Sequence, residues 1–287
     1  MSGASGAERE RPSGPLARLR LGSTEAAIFE TFVVPRYLSL FAELALEMIA
    51  ECEDAQVVHM NCRTGYPDYE VAARLRGAYV VGVDDSDAAL ALARAKAATM
   101  PEVVLEYHLA DAFPTPLPES AFSHALELHG LGDVAERAAV IGECGRLLAV
   151  HGQAVLAMPM RGSFQELADL LREYSLKYDE AAVGRAVERA ATARPTVEVL
   201  AAELESAGFD FVDVSLRPTV LAFRNGRDFF EDPIARLLIL PEVRSELGIE
   251  HADAPLSYVH EAIDKYWSDG SFELTVNVGC VTGRLQP

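Results

Sequence analysis

Paired cysteines, long apolar runs and basic charge are what this chain of 287 residues has least of. Cys52, Cys62, Cys144 and Cys280 are far apart, with no C-x-x-C pair. That spacing excludes a zinc-ribbon site and a disulfide framework, predicts no metal, and fits a reducing cytoplasm. No apolar stretch reaches membrane-spanning length, and the N-terminus has no apolar core of a secretory signal. Lys and Arg number 25 against 44 Asp and Glu, a net charge of -19. Such a surface repels nucleic acid and anionic membranes. It suits a soluble, bacterial-type protein with a neutral or cationic small-molecule substrate or a protein partner; homo-oligomerisation is left open.

What is present is a large apolar fraction, 50% of residues, enough for a sizeable core. Residues 1–22 are rich in Ser, Gly, Ala, Pro and Arg and read as a flexible tail. Residues 23–287 read as one folded domain. Thr24–Ile49 has helical spacing and predicts one or two helices, broken at Pro35.

From Gln56 onward apolar runs alternate with helical patterns. Strands are predicted over Gln56–Met60, Ala78–Val83, Val103–Leu109, Phe122–Leu128 and Gln153–Met158. Helices are predicted over Asp68–Arg76, from a Ser86 cap to about Thr99, and over Val134–Leu148. Parallel strands need such crossover helices, so the fold class is α/β, a Rossmann-like doubly wound sheet. Ligands in these sheets sit beyond the carboxyl ends of the strands, here the loops after Met60, Val83, Leu109 and Leu128.

Beyond Pro159 helices are predicted over Gln165–Tyr178, Glu180–Ala191, Thr196–Ala207, Asp232–Leu247 and Tyr258–Trp267. Strands are predicted over Phe209–Leu216 and Thr219–Phe223, on either side of Pro218, and over Phe272–Leu285.

The segments VVHMNCRTG (57–65), VVGVDDSDAALALARAKA (80–97), LADAFPTPLPESAFSHALELHGL (109–131) and ECGRLLAVHGQAVLAMP (143–159) follow one another in a fixed order. In that order the chain resembles the class I S-adenosylmethionine-dependent methyltransferases, from about Phe29 to Leu285. The resemblance implies a seven-stranded sheet, mostly parallel with an antiparallel last strand. It also implies a helical cap from about 24–50 and 160–195, and S-adenosylmethionine as cofactor.

By the same resemblance His59, Asn61, Arg63 and Gly65 fall in the cofactor loop, where the family has an acid followed by glycines. Asp84, with Asp85 beside it, stands at the position of the ribose-binding acid. Asp111 and Ala112 stand where the adenine amino group is recognised, and Leu128 at the end of the fourth strand. Val150–His151–Gly152 replaces a Pro-Gly-Gly turn. Of the loop glycines only Gly65 remains.

A positive φ is tolerated by Asn61 but strained at Arg63, whose side chain needs room that the methionine moiety would take. Arg63 either pairs with Asp68, Glu70 or Asp84 and plugs the site, or swings out to meet a ligand carboxylate. His129, just past the fourth strand, is the candidate general base. Phe32, Tyr37, Tyr174 and Tyr178 are candidates for a substrate pocket, or for plain core packing.

Two functions follow. In one the chain is a pseudo-methyltransferase, its cofactor binding lost and its role one of binding or assembly. In the other it is an active enzyme that methylates a small molecule. A nicotinamide dehydrogenase needs G-x-G-x-x-G after the first strand, which Asn61, Arg63 and Pro67 do not supply.

Overall fold

The computed structural model describes residues 20–129, 134–248 and 251–287. In chain order the first helices are α1 (Ser23–Ile28), a π-helical stretch over Phe29–Leu38, and α2 (Ser39–Met48). The alternating section is β1 (Gln56–Met60), α3 (Asp68–Arg74), β2 (Tyr79–Asp84), α4 (Asp87–Ala97), β3 (Val104–Leu109), β4 (Phe122–Leu128), α5 (Val134–Leu147) and β5 (Leu148–Pro159). Then come α6 (Gln165–Tyr178), α7 (Ala181–Ala193), α8 (Val197–Ser206) and β6 (Phe209–Phe223). The chain ends with α9 (Gly226–Glu231), a short π turn Ala235–Ile239, α10 (Leu240–Leu247), α11 (Asp253–Tyr266) and β7 (Phe272–Leu285).

One seven-stranded sheet has the order β3-β2-β1-β4-β5-β7-β6. β1 to β5 run parallel, and β7 is antiparallel to both β5 and β6. Strand order reverses between β1 and β4, so the crevice beyond Met60 and Leu128 is where such a sheet presents a ligand site. Both faces are covered. Val57, Val155, Phe41, Phe229 and Phe272 are buried on one side. Val58, Met60, Ile141, Leu147 and Leu204 are buried on the other.

Four expectations change. Pro35 does not end a helix: it lies inside the π stretch, whose wider turn carries the backbone past the missing amide. Pro218 does not divide two strands, because β6 is an edge strand, where a proline is tolerated. Val150–His151–Gly152 is not a turn before β5 but an irregularity inside it, with pairing shifting from Phe122↔Leu148 to His124↔Gln153. A β-carbon at Gly152 would lie 2.8 Å from the Ala149 carbonyl oxygen, so glycine is needed there. The expected helix Asp232–Leu247 is divided, with α9 ahead of it and the π turn inside it.

Most of the expected tail, residues 1–19, lies outside the described residues. Its last part is docked rather than loose: Leu21 is buried and its carbonyl accepts a hydrogen bond from Ser86 Oγ at 2.6 Å.

Candidate functional site

β1 ends at Met60, and the chain turns into α3 through Asn61, Cys62, Arg63, Thr64, Gly65, Tyr66 and Pro67. Asn61, Arg63 and Gly65 all take positive φ, 52°, 51° and 76°. The turn of a glycine-rich loop is thus formed without most of its glycines. For an arginine this region costs about 1–2 kcal/mol. Cys62 N–H donates to the Val83 carbonyl at 3.0 Å, which pins the loop to β2, and Gly65 N–H donates to Cys62 O at 2.7 Å, which closes the turn on itself. Gly65 cannot be replaced freely: a β-carbon there would lie 2.5 Å from the Tyr107 hydroxyl.

The side chains of the loop fold inward. His59 Nδ1 lies 2.6 Å from Asp68 Oδ1, and Tyr107 donates its hydroxyl proton to Asp68 Oδ2 at 2.9 Å. All three side chains are buried. Asp68, the first residue of α3, thereby supplies under the loop a carboxylate that the end of β1 lacks. Asn61 Nδ2 donates to both oxygens of Glu127, each at 2.9 Å. Glu127 sits on β4 beside Met60 of β1 and is fully buried. Burial pushes its carboxyl up to about 8, against a partial pull downward from Asn61 and Arg63.

Asp84, at the end of β2, is also fully buried. Its Oδ2 accepts from the Arg63 backbone N–H at 3.0 Å and from Arg63 Nη1 at 3.3 Å. Its Oδ1 accepts from the Ser86 N–H at 2.9 Å. Arg63 Nη1 also lies 3.8 Å from Asp85 Oδ1. Burial and the neighbouring Asp84 charge raise the Asp85 carboxyl to about 6. Asp111 and Ala112 are exposed just beyond β3, where Ala110 N–H donates to Asp84 O at 2.9 Å. Of the partners expected for Arg63, Asp84 is the one seen in contact with it.

Leu128 is buried at the end of β4. His129 follows it with φ 51°, its N–H on the Ala157 carbonyl at 2.7 Å. Its ring packs against Tyr37 and Phe41, with centroids 5.0 and 5.6 Å away. Burial first, then the charges of Arg63 and Arg194, push this imidazole down to about 3. Tyr37 is fully buried, whereas Phe32 is exposed. Tyr174 and Tyr178 pack against each other and against Tyr258. Among the described residues no cluster of His, Cys, Asp or Glu is placed to hold a metal.

Residues 58–156, which span the loop, Asp84, Asp111 and His129, match the family model described as a methyltransferase domain. That match, with the relative that follows, supports a class I S-adenosylmethionine-dependent methyltransferase family. The demethylmenaquinone methyltransferase of Thermus thermophilus is 27% identical over 211 residues, 67% of this chain and 93% of that protein. Phosphoethanolamine N-methyltransferase 2 of Haemonchus contortus was solved with phosphomonomethylethanolamine and S-adenosylhomocysteine. It superposes with a TM-score of 0.56 at 14% identity, over 95% of this chain and 59% of that one. The YcgJ protein of Bacillus subtilis superposes with a TM-score of 0.55 at 8% identity, over 86% and 98%. At these identities the two structures speak for the fold of the methyltransferase domain.

Sequence reasoning placed the loop and Asp84 but missed Glu127, and gave Asp68 and Tyr107 no role with His59. A lone glutamate inside the apolar run FSHALEL was the available signal, since a buried acid needs a partner. No helix among the described residues is long and apolar enough to cross a membrane.

Proposed function

We propose that this methyltransferase-fold protein has an impaired S-adenosylmethionine site and acts in binding or assembly rather than in methyl transfer. The observation that carries this reading is the Arg63–Asp84 contact. Neither oxygen of Asp84 is unengaged, and the carboxylate is sealed from solvent. A ribose would have to expel a guanidinium from a buried carboxylate, and such pairs are costly to break. In this arrangement the residues at the site do not fit the cofactor and supply no methyl-transfer step. His129 supports the same reading, because an imidazole near 3 is a feeble base at neutral pH. A cytoplasmic location goes with this reading, in keeping with four unpaired cysteines.

A second reading, an active enzyme acting on a small molecule, is favoured by the backbone. The φ values of residues 61, 63 and 65 keep the shape of a nucleotide-cradling turn. If Arg63 swings outward, Asp84 becomes a ribose acceptor and Asp85, Asp111, Ala112 and Leu128 border the nucleoside. The Thermus relative, a demethylmenaquinone methyltransferase, supports demethylmenaquinone or a compound like it as substrate in that case.

Calorimetric titration of S-adenosylmethionine and S-adenosylhomocysteine into the full chain separates the two readings. The first expects no heat and no rise in melting temperature at millimolar ligand, since a ligand that binds the folded state must stabilise it. Micromolar binding by either nucleoside supports the second and removes the first.

A further inference from the structure

A cavity of about 290 Å³ lies between α6, α7 and α10, and its lining includes none of the loop residues, Asp84, Asp111 or His129. Leu167 and Leu171 of α6, Val187 of α7, Ile239 at the end of the π turn and Val243 of α10 give it an apolar wall. Phe164 also lines it, with the Arg194 guanidinium 4.8 Å from the centre of its ring. The volume is about twice the roughly 150 Å³ of an engineered apolar cavity that binds benzene. It therefore suits an aromatic compound of two rings.

The charge at its rim argues for a neutral occupant. Arg194 is paired with Glu242 at 2.7 Å, and Arg172 with Asp169 and Glu188, each at 2.7 Å. Arg161 donates to the main-chain carbonyls of Thr192 and Arg194. Arg172 and Arg194 are thus charge-paired, the donors of Arg161 are held by carbonyls, and Glu246, also in the lining, offsets the remaining positive charge. The net charge of -19 on the whole chain disfavours an anion.

The geometry points to a binding site for a small, uncharged, two-ring aromatic compound between α6, α7 and α10. This site is separate from the cofactor cleft and stands whether or not S-adenosylmethionine binds. It gives the proposed binding role a ligand class. Arg194 links the site to the cleft, because its charge is felt by both His129 and Tyr37.

The test is fluorescence titration of the full chain with 2-naphthol, and in parallel with naphthalene-2-sulfonate, the same ring pair carrying a sulfonate. The neutral probe should bind saturably at one site with micromolar affinity, and the sulfonate at least tenfold more weakly. Ala190→Trp and Ala168→Trp each place a ring in the cavity from a half-buried position. Either variant, once shown to melt as the parent does, should lose the neutral probe. No saturable signal from the parent, equal or tighter binding of the sulfonate, or unchanged binding by both folded variants would each overturn the assignment. Arg63→Gly should leave the neutral probe's affinity unchanged, which keeps this result separate from any failure of the cofactor reading.

Discussion

The backbone amide and the guanidinium of Arg63 converge on the same oxygen of Asp84, at 3.0 and 3.3 Å. One residue thus supplies both a structural hydrogen bond to the strand end and an ion pair that covers it. The amide bond needs only the positive φ of the turn. The ion pair needs an arginine. Substitution therefore separates the shape of the loop from the closing of the site.

Gly65→Ala should destabilise the fold by about 2–4 kcal/mol, because the new methyl meets the Tyr107 hydroxyl at a positive φ. Tyr107 cannot yield cheaply, since its hydroxyl is bonded to buried Asp68. Urea unfolding followed by circular dichroism measures this. A loss under about 0.5 kcal/mol would show that the loop adapts without cost.

Glu127 should make the protein less stable as pH rises. Its carboxyl titrates near 8 in the folded chain against an ordinary value of 4.5. Between those values the folded state holds a proton that the unfolded state has released, so stability falls as pH climbs from about 4.5 through about 8. Glu127→Gln keeps an acceptor for Asn61 but does not titrate. Urea midpoints at pH 5 and pH 8 should fall less for this variant than for the parent; equal falls would remove Glu127 from the account.

His129 should act on the acid side. The unfolded imidazole binds a proton near 6.5, while the folded one resists until about 3. The contribution of His129 to stability is therefore complete above pH 6.5 and is lost as pH falls from there toward 3. His129→Asn suits the positive φ and removes the titration. Melting curves from pH 7 to pH 4 should show a shallower decline for the variant, and an unchanged slope would contradict the burial argument.

The fold was legible because β-branched runs and helix signals alternate cleanly from Gln56 to Pro159; β1, β4, α6 and β7 have the expected boundaries. What misled were local breakers whose effect depends on tertiary context. Pro35 is absorbed by a π turn, and Pro218 lies on an edge strand. At the site, the strain at Arg63 was legible from the motif alone, and its carboxylate partner only as one of three, Asp68, Glu70 or Asp84. The His59–Asp68–Tyr107 and Asn61–Glu127 contacts were not. They join residues 9, 39 and 66 positions apart, and only the register of β1 against β4 and the packing of α3 bring them together. The cavity between α6, α7 and α10 was invisible for the same reason, since helical spacing marks an apolar face without saying what covers it.

The central claim is that Arg63 and Asn61, rather than the rest of the sheet, keep the nucleoside out. Its most direct test is calorimetry with S-adenosylmethionine on the Asn61→Gly, Arg63→Gly double variant beside the parent. The account predicts no measurable binding by the parent and micromolar binding by the variant, with Asp84 uncovered and the turn eased. Micromolar binding by the parent, or none by a correctly folded variant, would contradict it.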